Sequence, residues 1–270
     1  MYKYIRAFSF ILLYLVLYYV FQIVGAVIFL VMSPGFGLGI LDPFNFLTGN
    51  FAIILLISAP LSFLAFCLIY LMRRKNIFTE CRLTSGSPAK SFFYGGMFGL
   101  SSSIVVSFLL TLLMLNGLFD DLFEKYNFQI TSLISQGDFI YSLLGVGIIV
   151  PIVEEVMFRG IIYHELDDIF SVKTAIVLQG ILFGVYHLNI IQGLYASILG
   201  IFFGLIVYKT KSIWPAIIAH IFMNSSSVVL SHPVVLEIYE KYAVGYFLVI
   251  ILFFILSTKY FVNLQTESPE

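Results

Sequence analysis

Runs of about twenty consecutive apolar residues constrain this chain more than any other feature of its sequence. A helix needs about 20 such residues to cross the hydrocarbon core of a bilayer. Eight candidate segments run approximately over Ile5–Met32, Phe51–Met72, Phe92–Phe119, Ile140–Leu166, Lys173–Leu188, Ile190–Tyr208, Ile213–Leu230 and Ala243–Val262. They predict an all-α polytopic membrane bundle of about eight transmembrane helices, with residues 1–270 forming a single integral-membrane domain.

The composition indicates that lipid, rather than water, surrounds most of the surface. Of the 270 residues, 60% are hydrophobic and 11% are charged, whereas an average soluble domain is about 45–50% apolar and about 25% charged. The net charge of −1 comes without a basic face, so we expect no nucleic-acid partner. Cys67 and Cys81 have the spacing of neither a disulfide framework nor a thiolate zinc site.

The basic residues are distributed unevenly between alternate loops, and this distribution predicts the orientation of the chain. Lys and Arg precede the first segment and recur in the second-to-third and sixth-to-seventh connections, whereas the loop after the third segment is acidic. The positive-inside rule therefore places both termini in the cytoplasm.

Glycines also recur at the small-xxx-small spacing that lets membrane helices approach closely, at Gly95 and Gly99, Gly180 and Gly184, and Gly200 and Gly204.

The fourth segment carries charges inside an apolar run, where an ionisable side chain costs roughly 2.5–3.5 kcal/mol and marks a candidate functional site. Glu155 and Arg159 are i,i+4 neighbours with the acid first, which is the better order for an ion pair. Glu154 lies about 100° further round the helix and has no partner of its own. An unpaired carboxylate suits a general base or acid, although a structural salt-bridge network that holds both glutamates explains the pattern equally well.

Two other segments contribute polar residues at similar depth. His187 ends the fifth segment, and His220 and Asn224 share one face of the seventh. A lone histidine in a membrane helix is often a packing residue, but two histidines, an amide and an unpaired glutamate suit water activation and oxyanion stabilisation. At 1.5 Å per residue, His187, Asn224 and Glu154 all lie roughly 17–21 Å from the cytoplasmic ends of their helices, and His220 lies roughly 10 Å from the same end of its helix. We therefore expect these groups to meet in mid-membrane, with access from the cytoplasmic side.

Several common catalytic motifs are missing from the sequence. The stretch His164-Glu165-Leu166-Asp167-Asp168 begins like HExxH but has Asp at its fifth position, so it is not that zinc helix. The chain contains no GxSxG nucleophile motif, no Walker A sequence and no dinucleotide fingerprint.

The polar residues of the three segments together resemble the motifs of the CAAX-protease and bacteriocin-processing (CPBP, or Abi) family of intramembrane proteases. The matching residues, within catalytic helices at about 140–230, are Glu154-Glu155 with Arg159, Phe183 with His187, and His220 with Asn224. This resemblance implies an endopeptidase that cleaves membrane-associated peptides or proteins. It also implies that Glu154, assisted by His187, activates water, that His220 and Asn224 stabilise the oxyanion, and that Glu155 and Arg159 hold the site together.

The family is usually described as metalloproteases, which implies a divalent metal such as zinc. Two neutral histidines and a carboxylate are able to ligate zinc, so the sequence allows both a metal and a glutamate-activated water without one. We expect a multi-pass protein of a bacterial plasma membrane that processes bacteriocins or signalling peptides, or confers self-immunity. Its partners would be the lipid bilayer and a peptide or protein substrate, which the family resemblance allows to be lipidated or membrane-embedded. The alternatives are a non-catalytic scaffold or immunity protein of the same fold and, less favoured, a small transporter, since buried Glu, His and Arg also form proton relays.

Overall fold

The computed structural model describes residues 1–33, 42–117, 119–134 and 138–265. Of the described residues, 86% are helical, and none lies in a strand. In chain order the helices are α1 (Tyr2–Met32), α2 (Pro43–Gly49), α3 (Phe51–Met72), α4 (Ile77–Glu80), α5 (Ala89–Leu115), α6 (Asp120–Ile134), α7 (Phe139–Asp167), α8 (Val172–Tyr186), α9 (Ile190–Thr210), α10 (Trp214–Leu230) and α11 (Pro233–Asn263). The predicted all-α bundle is confirmed.

Six helices of the described chain are long and apolar enough to cross a membrane: α1, α3, α5, α7, α9 and the Gly245–Asn263 part of α11. Two further apolar helices, α8 and α10, have only 15 and 17 residues. These eight helices correspond to the eight predicted segments, and a polytopic membrane protein is confirmed. Two boundaries were wrong: α5 ends at Leu115, just before Gly117 with its φ of +64°, and α11 begins at Pro233.

The acidic stretch after α5, which we predicted to be a loop, forms the amphipathic helix α6. Asp120 and Asp121 lie in its first turn, where negative charge interacts favourably with the helix dipole. Phe123 is buried, and α6 packs against α2, α3, α7 and α9. The end of the bundle that α6 covers is called the α6 end below.

Helix α7 occupies the centre of the bundle, where it packs against α1, α3, α8, α9 and α10. Two of its stretches, Leu143–Ile149 and Val156–Ile162, are π-helical. Such turns are rare and are frequently found at functional sites. They flank Pro151, which has no N–H to donate along the helix.

The predicted close approaches of glycines are found between α5 and α10 and between α8 and α9. A Cβ placed on Gly95 would lie 2.6 Å from the carbonyl oxygen of Pro215, and one on Gly99 would overlap the carbonyl of Ala219. A Cβ on Gly180 would lie 2.6 Å from the backbone nitrogen of Ile201. Backbone therefore packs directly on backbone at these crossings, as small-residue contacts in membranes allow.

The opposite end of the bundle, called the basic end below, gathers most of the positive charge. Contacts tie its helix termini together: Arg73 hydrogen-bonds Glu165, Lys209 Nζ donates to the Leu264 carbonyl at 2.8 Å, and Arg82 Nη1 donates to the Val207 carbonyl at 3.5 Å. The structure thus places the charge asymmetry of the sequence at one end of one bundle.

Candidate active site

A buried ionic cluster connects α7 to α10. Glu155 Oε1 lies 2.9 Å from Arg159 Nη1 one turn along α7, which is the ion pair predicted from the sequence. The same Oε1 atom lies 2.8 Å from Nδ1 of His220 on α10. Glu155 and Arg159 are fully buried and His220 is 4% exposed. The carboxylate of Glu155 therefore holds both the guanidinium and the imidazole ring in place.

Aromatic rings enclose the guanidinium of Arg159. Its carbon Cζ lies 4.3 Å from the centroid of the Phe183 ring and 5.1 Å from that of Phe203, distances at which cation–π attraction is significant. None of its N–H groups is aligned on an acceptor oxygen of the described residues. Charge and ring contacts, rather than a bidentate hydrogen bond, thus keep Arg159 beside Glu155.

Glu154 faces the other nitrogen of His220. Its Oε2 atom lies 3.8 Å from His220 Nε2, so the ring is placed between the two glutamates. Glu154 is 6% exposed, whereas Glu155 is fully buried. Of the two neighbouring carboxylates, Glu154 is the one that reaches a cavity.

His187 follows the last residue of α8 and is only half-buried. Its Nδ1 atom lies 2.7 Å from the Phe183 carbonyl oxygen. A carbonyl accepts but does not donate, so this contact places the proton on Nδ1 and leaves Nε2 with its lone pair. His187 therefore has a nitrogen that is able to accept a hydrogen bond from water.

Asn224 is positioned by the backbone around Pro151. Pro151 has no N–H for the carbonyl oxygens of Val146 and Gly147, which lie five and four residues before it. Asn224 Nδ2 donates to the Val146 carbonyl at 3.1 Å, and Ser225 Oγ donates to the Gly147 carbonyl at 3.1 Å. One amide hydrogen of Asn224 is used in this way, and the second remains for another acceptor.

Two neighbouring cavities bring four of the six predicted site residues together. Glu154, His187 and Asn224 line a cavity of about 300 Å³, called the inner cavity below. His187, His220 and Asn224 line a second one of about 640 Å³, called the outer cavity. Glu155 and Arg159 lie behind His220 and reach neither. The predicted meeting of these groups in mid-bundle therefore holds, whereas their individual roles stay predictions.

We expected access from the cytoplasmic side, and packing closes the site toward the basic end, which the charge pattern predicts to be cytoplasmic. Every residue of Val156–Ile162, which continues α7 from the site toward the basic end, is buried. The inner cavity instead shares Phe51 and Gln129 with a third cavity of about 740 Å³ beneath α6. The depth of the site could be predicted from helix length, whereas the direction in which side chains close it could not, because that depends on packing between distant helices.

Sequence reasoning missed the contribution of α1 to the inner cavity. Tyr18, Tyr19 and Gln22 line it. Tyr19 donates a hydrogen bond to the Tyr186 carbonyl, and Gln22 Nε2 donates to the Tyr186 hydroxyl at 3.2 Å. Tyr14, Tyr18 and Gln22 recur every four residues in an otherwise apolar helix, so this spacing was an available signal.

The donor set does not form a metal centre as placed. Within the described chain, no group of three His, Cys, Asp or Glu side chains is arranged to hold a metal ion. Glu155 occupies Nδ1 of His220, and the Phe183 carbonyl occupies Nδ1 of His187. Both contacts leave Nε2 available, as in metal-binding histidines whose other ring nitrogen is held by a second group, so only the lack of a third converging ligand among the described residues separates the arrangement from a zinc site. No step of the proposed reaction depends on a metal.

The part of the chain that contains the candidate site matches a known protein family. Residues 136–226 match the family model for type II CAAX prenyl endopeptidase Rce1-like proteins. The chain is also 32% identical over 83 residues to "Putative membrane peptidase YdiL" of Bacillus subtilis (strain 168). That match covers 31% of this chain and spans about a third, 34%, of the length of the relative. No solved structure matches the chain.

The matched segment runs from just before α7 to Ser226 in α10, so it includes all six candidate residues. The resemblance to the CAAX-protease family that the motifs indicated is therefore confirmed over this segment.

Proposed function

We propose that this chain is an intramembrane endopeptidase in which Glu154 activates the attacking water. The observation that carries the proposal is the inner cavity, where a glutamate without a basic partner of its own, a histidine nitrogen and a free amide hydrogen meet within the bundle. A buried cavity with convergent polar groups is the usual form of a catalytic site. The family match of residues 136–226 supports the same reaction class.

In the proposed reaction, Glu154 accepts a proton from water, and the water oxygen attacks the carbonyl carbon of the scissile peptide bond. His187 accepts the second hydrogen of that water through Nε2 and so orients it. His220, whose ring Glu155 positions through Nδ1, and Asn224 donate hydrogen bonds to the oxyanion. When the C–N bond breaks, Glu154 returns its proton to the leaving amine.

Glu155 and Arg159 act as positioning residues in this scheme. Glu155 fixes the ring of His220 through Nδ1, so that Nε2 faces the reaction space. Arg159 supplies the charge that balances Glu155 where no water reaches. Such support around the reacting groups is what holds a catalytic site in its productive geometry.

We further propose a bacterial plasma membrane as its location and a membrane-associated peptide, such as a bacteriocin or signalling-peptide precursor, as its substrate. The relative from Bacillus subtilis supports the bacterial origin.

The direct test of the proposed reaction compares the membrane peptidomes of cells with the wild-type chain and with Glu154→Gln, which keeps the size of the side chain. We expect cleavage products to disappear in the variant, because loss of a general base costs about 10²–10⁴ in rate.

Unchanged products in Glu154→Gln cells would overturn the proposal. Immunity or regulation that persists in those cells would instead favour the non-catalytic scaffold.

Whether cleavage requires a bound metal is tested by adding a chelator to the purified protein. Activity that is lost and then restored by zinc would assign water activation to a metal, whereas retained activity supports the role of Glu154.

A further inference from the structure

We propose that the site takes its substrate from the extracytoplasmic side, as an extended, uncharged peptide segment that occupies the outer cavity beneath α6. This inference rests on the proposed peptidase function for its catalytic consequence. Its geometric part, the side from which the cavity is reached, is independent of that function.

The first observation is the charge at the two ends of the bundle. One of the 14 Lys and Arg residues, Arg159, is buried at the site, and two, Lys125 and Lys241, lie toward the α6 end. The other 11 lie toward the basic end: Lys3, Arg6, Arg73, Arg74, Lys75, Arg82, Lys90, Lys173, Lys209, Lys211 and Lys259. Because positive charge is retained in the cytoplasm, the α6 end is extracytoplasmic.

The second observation is the shape of the bundle around the site. Helix α8 has 15 residues, which gives it a length of about 22 Å, less than the roughly 30 Å of a bilayer core. The chain turns back at Leu188, whose φ of +52° marks a tight turn. His187 and Leu188 line the inner cavity at this turn, which forms a recess at the α6 end. Toward the basic end, the buried stretch Val156–Ile162 closes the bundle.

Helix α6 covers this recess without filling it. Gln129 Oε1 accepts a hydrogen bond of 3.0 Å from Asn189 in the α8–α9 turn, and the ring of Tyr126 packs edge-on against that of Tyr195 on α9. Tyr126 and Asn127 of α6 line the outer cavity together with His187, His220 and Asn224. The outer cavity therefore runs from the catalytic groups to the underside of α6.

The walls of the outer cavity indicate what it holds. Ser107 and Thr111 line it from α5, and Ser227 of α10 and Ser231, the residue that follows α10, also line it. Among its lining residues that the structure describes, none is Asp, Glu, Lys or Arg. An extended peptide in a membrane exposes backbone N–H and C=O groups that must find partners. Hydroxyl and amide side chains supply both donors and acceptors, whereas a charged segment would meet no counter-charge.

The experiment places a single cysteine in the cavity wall and labels it from one side of the membrane. Thr111→Cys puts the thiol in the outer cavity, and Asn116→Cys puts one just beyond the end of α5, outside that cavity. Right-side-out and inside-out vesicles are treated with a charged, membrane-impermeant thiol reagent. The wild-type chain, treated identically, controls for Cys67 and for Cys81, a thiol whose pKa burial raises to about 12.

We expect Thr111→Cys to be labelled only in right-side-out vesicles and to lose at least tenfold of its own unlabelled cleavage rate. Asn116→Cys should be labelled from the same side and keep its rate. Labelling of Thr111→Cys only from the cytoplasmic side, or from neither side, would overturn the proposed direction. Complete labelling without loss of cleavage would overturn the placement of the substrate. Cleavage that persists in Glu154→Gln would overturn the peptidase proposal itself, and this outcome is separate from the labelling results that test the direction of substrate entry.

Discussion

Glu154 and Glu155 are adjacent in sequence, but their surroundings differ. Glu155 is fully buried and shares one oxygen between Arg159 and His220. Among the described residues, the nearest polar partner of Glu154 is His220, whose Nε2 atom lies 3.8 Å from Glu154 Oε2. Glu154 also lines the inner cavity. One carboxylate thus stabilises the architecture of the site, and the other is available to substrate and water.

This difference predicts opposite effects of the same substitution at the two positions. Glu155→Gln leaves Arg159 buried without a counter-charge, and breaking such a pair costs about 3–5 kcal/mol. We expect this variant to lose both thermal stability and activity. Glu154→Gln, the matched control, should lose activity while its free energy of unfolding changes by less than about 1 kcal/mol. Thermal unfolding of both variants in detergent micelles measures the contrast, and equal stabilities would contradict it.

The residues of the site were largely predictable, whereas their contacts were only partly so. Glu155 and Arg159 are one turn apart, and local spacing is enough to pair them. The contact between Glu155 and His220 joins α7 to α10 and depends on how these helices are aligned along their axes. No spacing within either helix contains that alignment, so the sequence left His220 without a partner.

At the level of the helices, the crossing of α5 and α10 controls where His220 lies. Gly99 packs against the carbonyl of Ala219, the residue immediately before His220. Ser103 Oγ and Ser227 Oγ hydrogen-bond at 2.9 Å further along the same crossing. Any separation of the two helices would therefore move the imidazole of His220 away from Glu155.

We predict that Gly99→Ala is far more damaging than Gly96→Ala. The added methyl group at Gly99 overlaps backbone that cannot rotate away, whereas one at Gly96 would lie 3.6 Å from the ring of Phe222, an ordinary contact. Overpacking of this kind costs about 1–3 kcal/mol or more. Cleavage assays and thermal unfolding of the two variants test the prediction, which fails if both behave alike.

The glycine spacing on α5, α8 and α9 predicted the close crossings of α5 with α10 and of α8 with α9, because glycines separated by three residues lie on one face of a helix. The π-helical turns of α7 were not predicted, since apolar residues such as those of Leu143–Ile149 are compatible with either helix type. Helix α6 was missed for another reason. Its charged first turn suggested a loop, whereas its single buried ring, Phe123, gains its contacts only in the assembled bundle.

For the whole molecule, composition was enough to predict a membrane bundle, and the number of apolar helices followed from segment length. The orientation stays a prediction that the gathering of basic residues at one end supports. The proposed access route could not be predicted from the sequence, because it depends on how α6 covers its end of the bundle and on how Val156–Ile162 packs between distant helices.

The shortness of α8 and α10 has a consequence for the lipid as well as for the protein. At 15 and 17 residues they measure about 22 and 26 Å, several ångströms less than a typical bilayer core. Hydrophobic mismatch of this size thins the surrounding bilayer at a modest energetic cost. We therefore expect faster cleavage in vesicles of short-chain lipids than in those of long-chain lipids with the same headgroup. On this view acyl-chain length would tune the proposed peptidase, since a membrane already thinned beside α8 and α10 needs less deformation to bring water and substrate to Glu154.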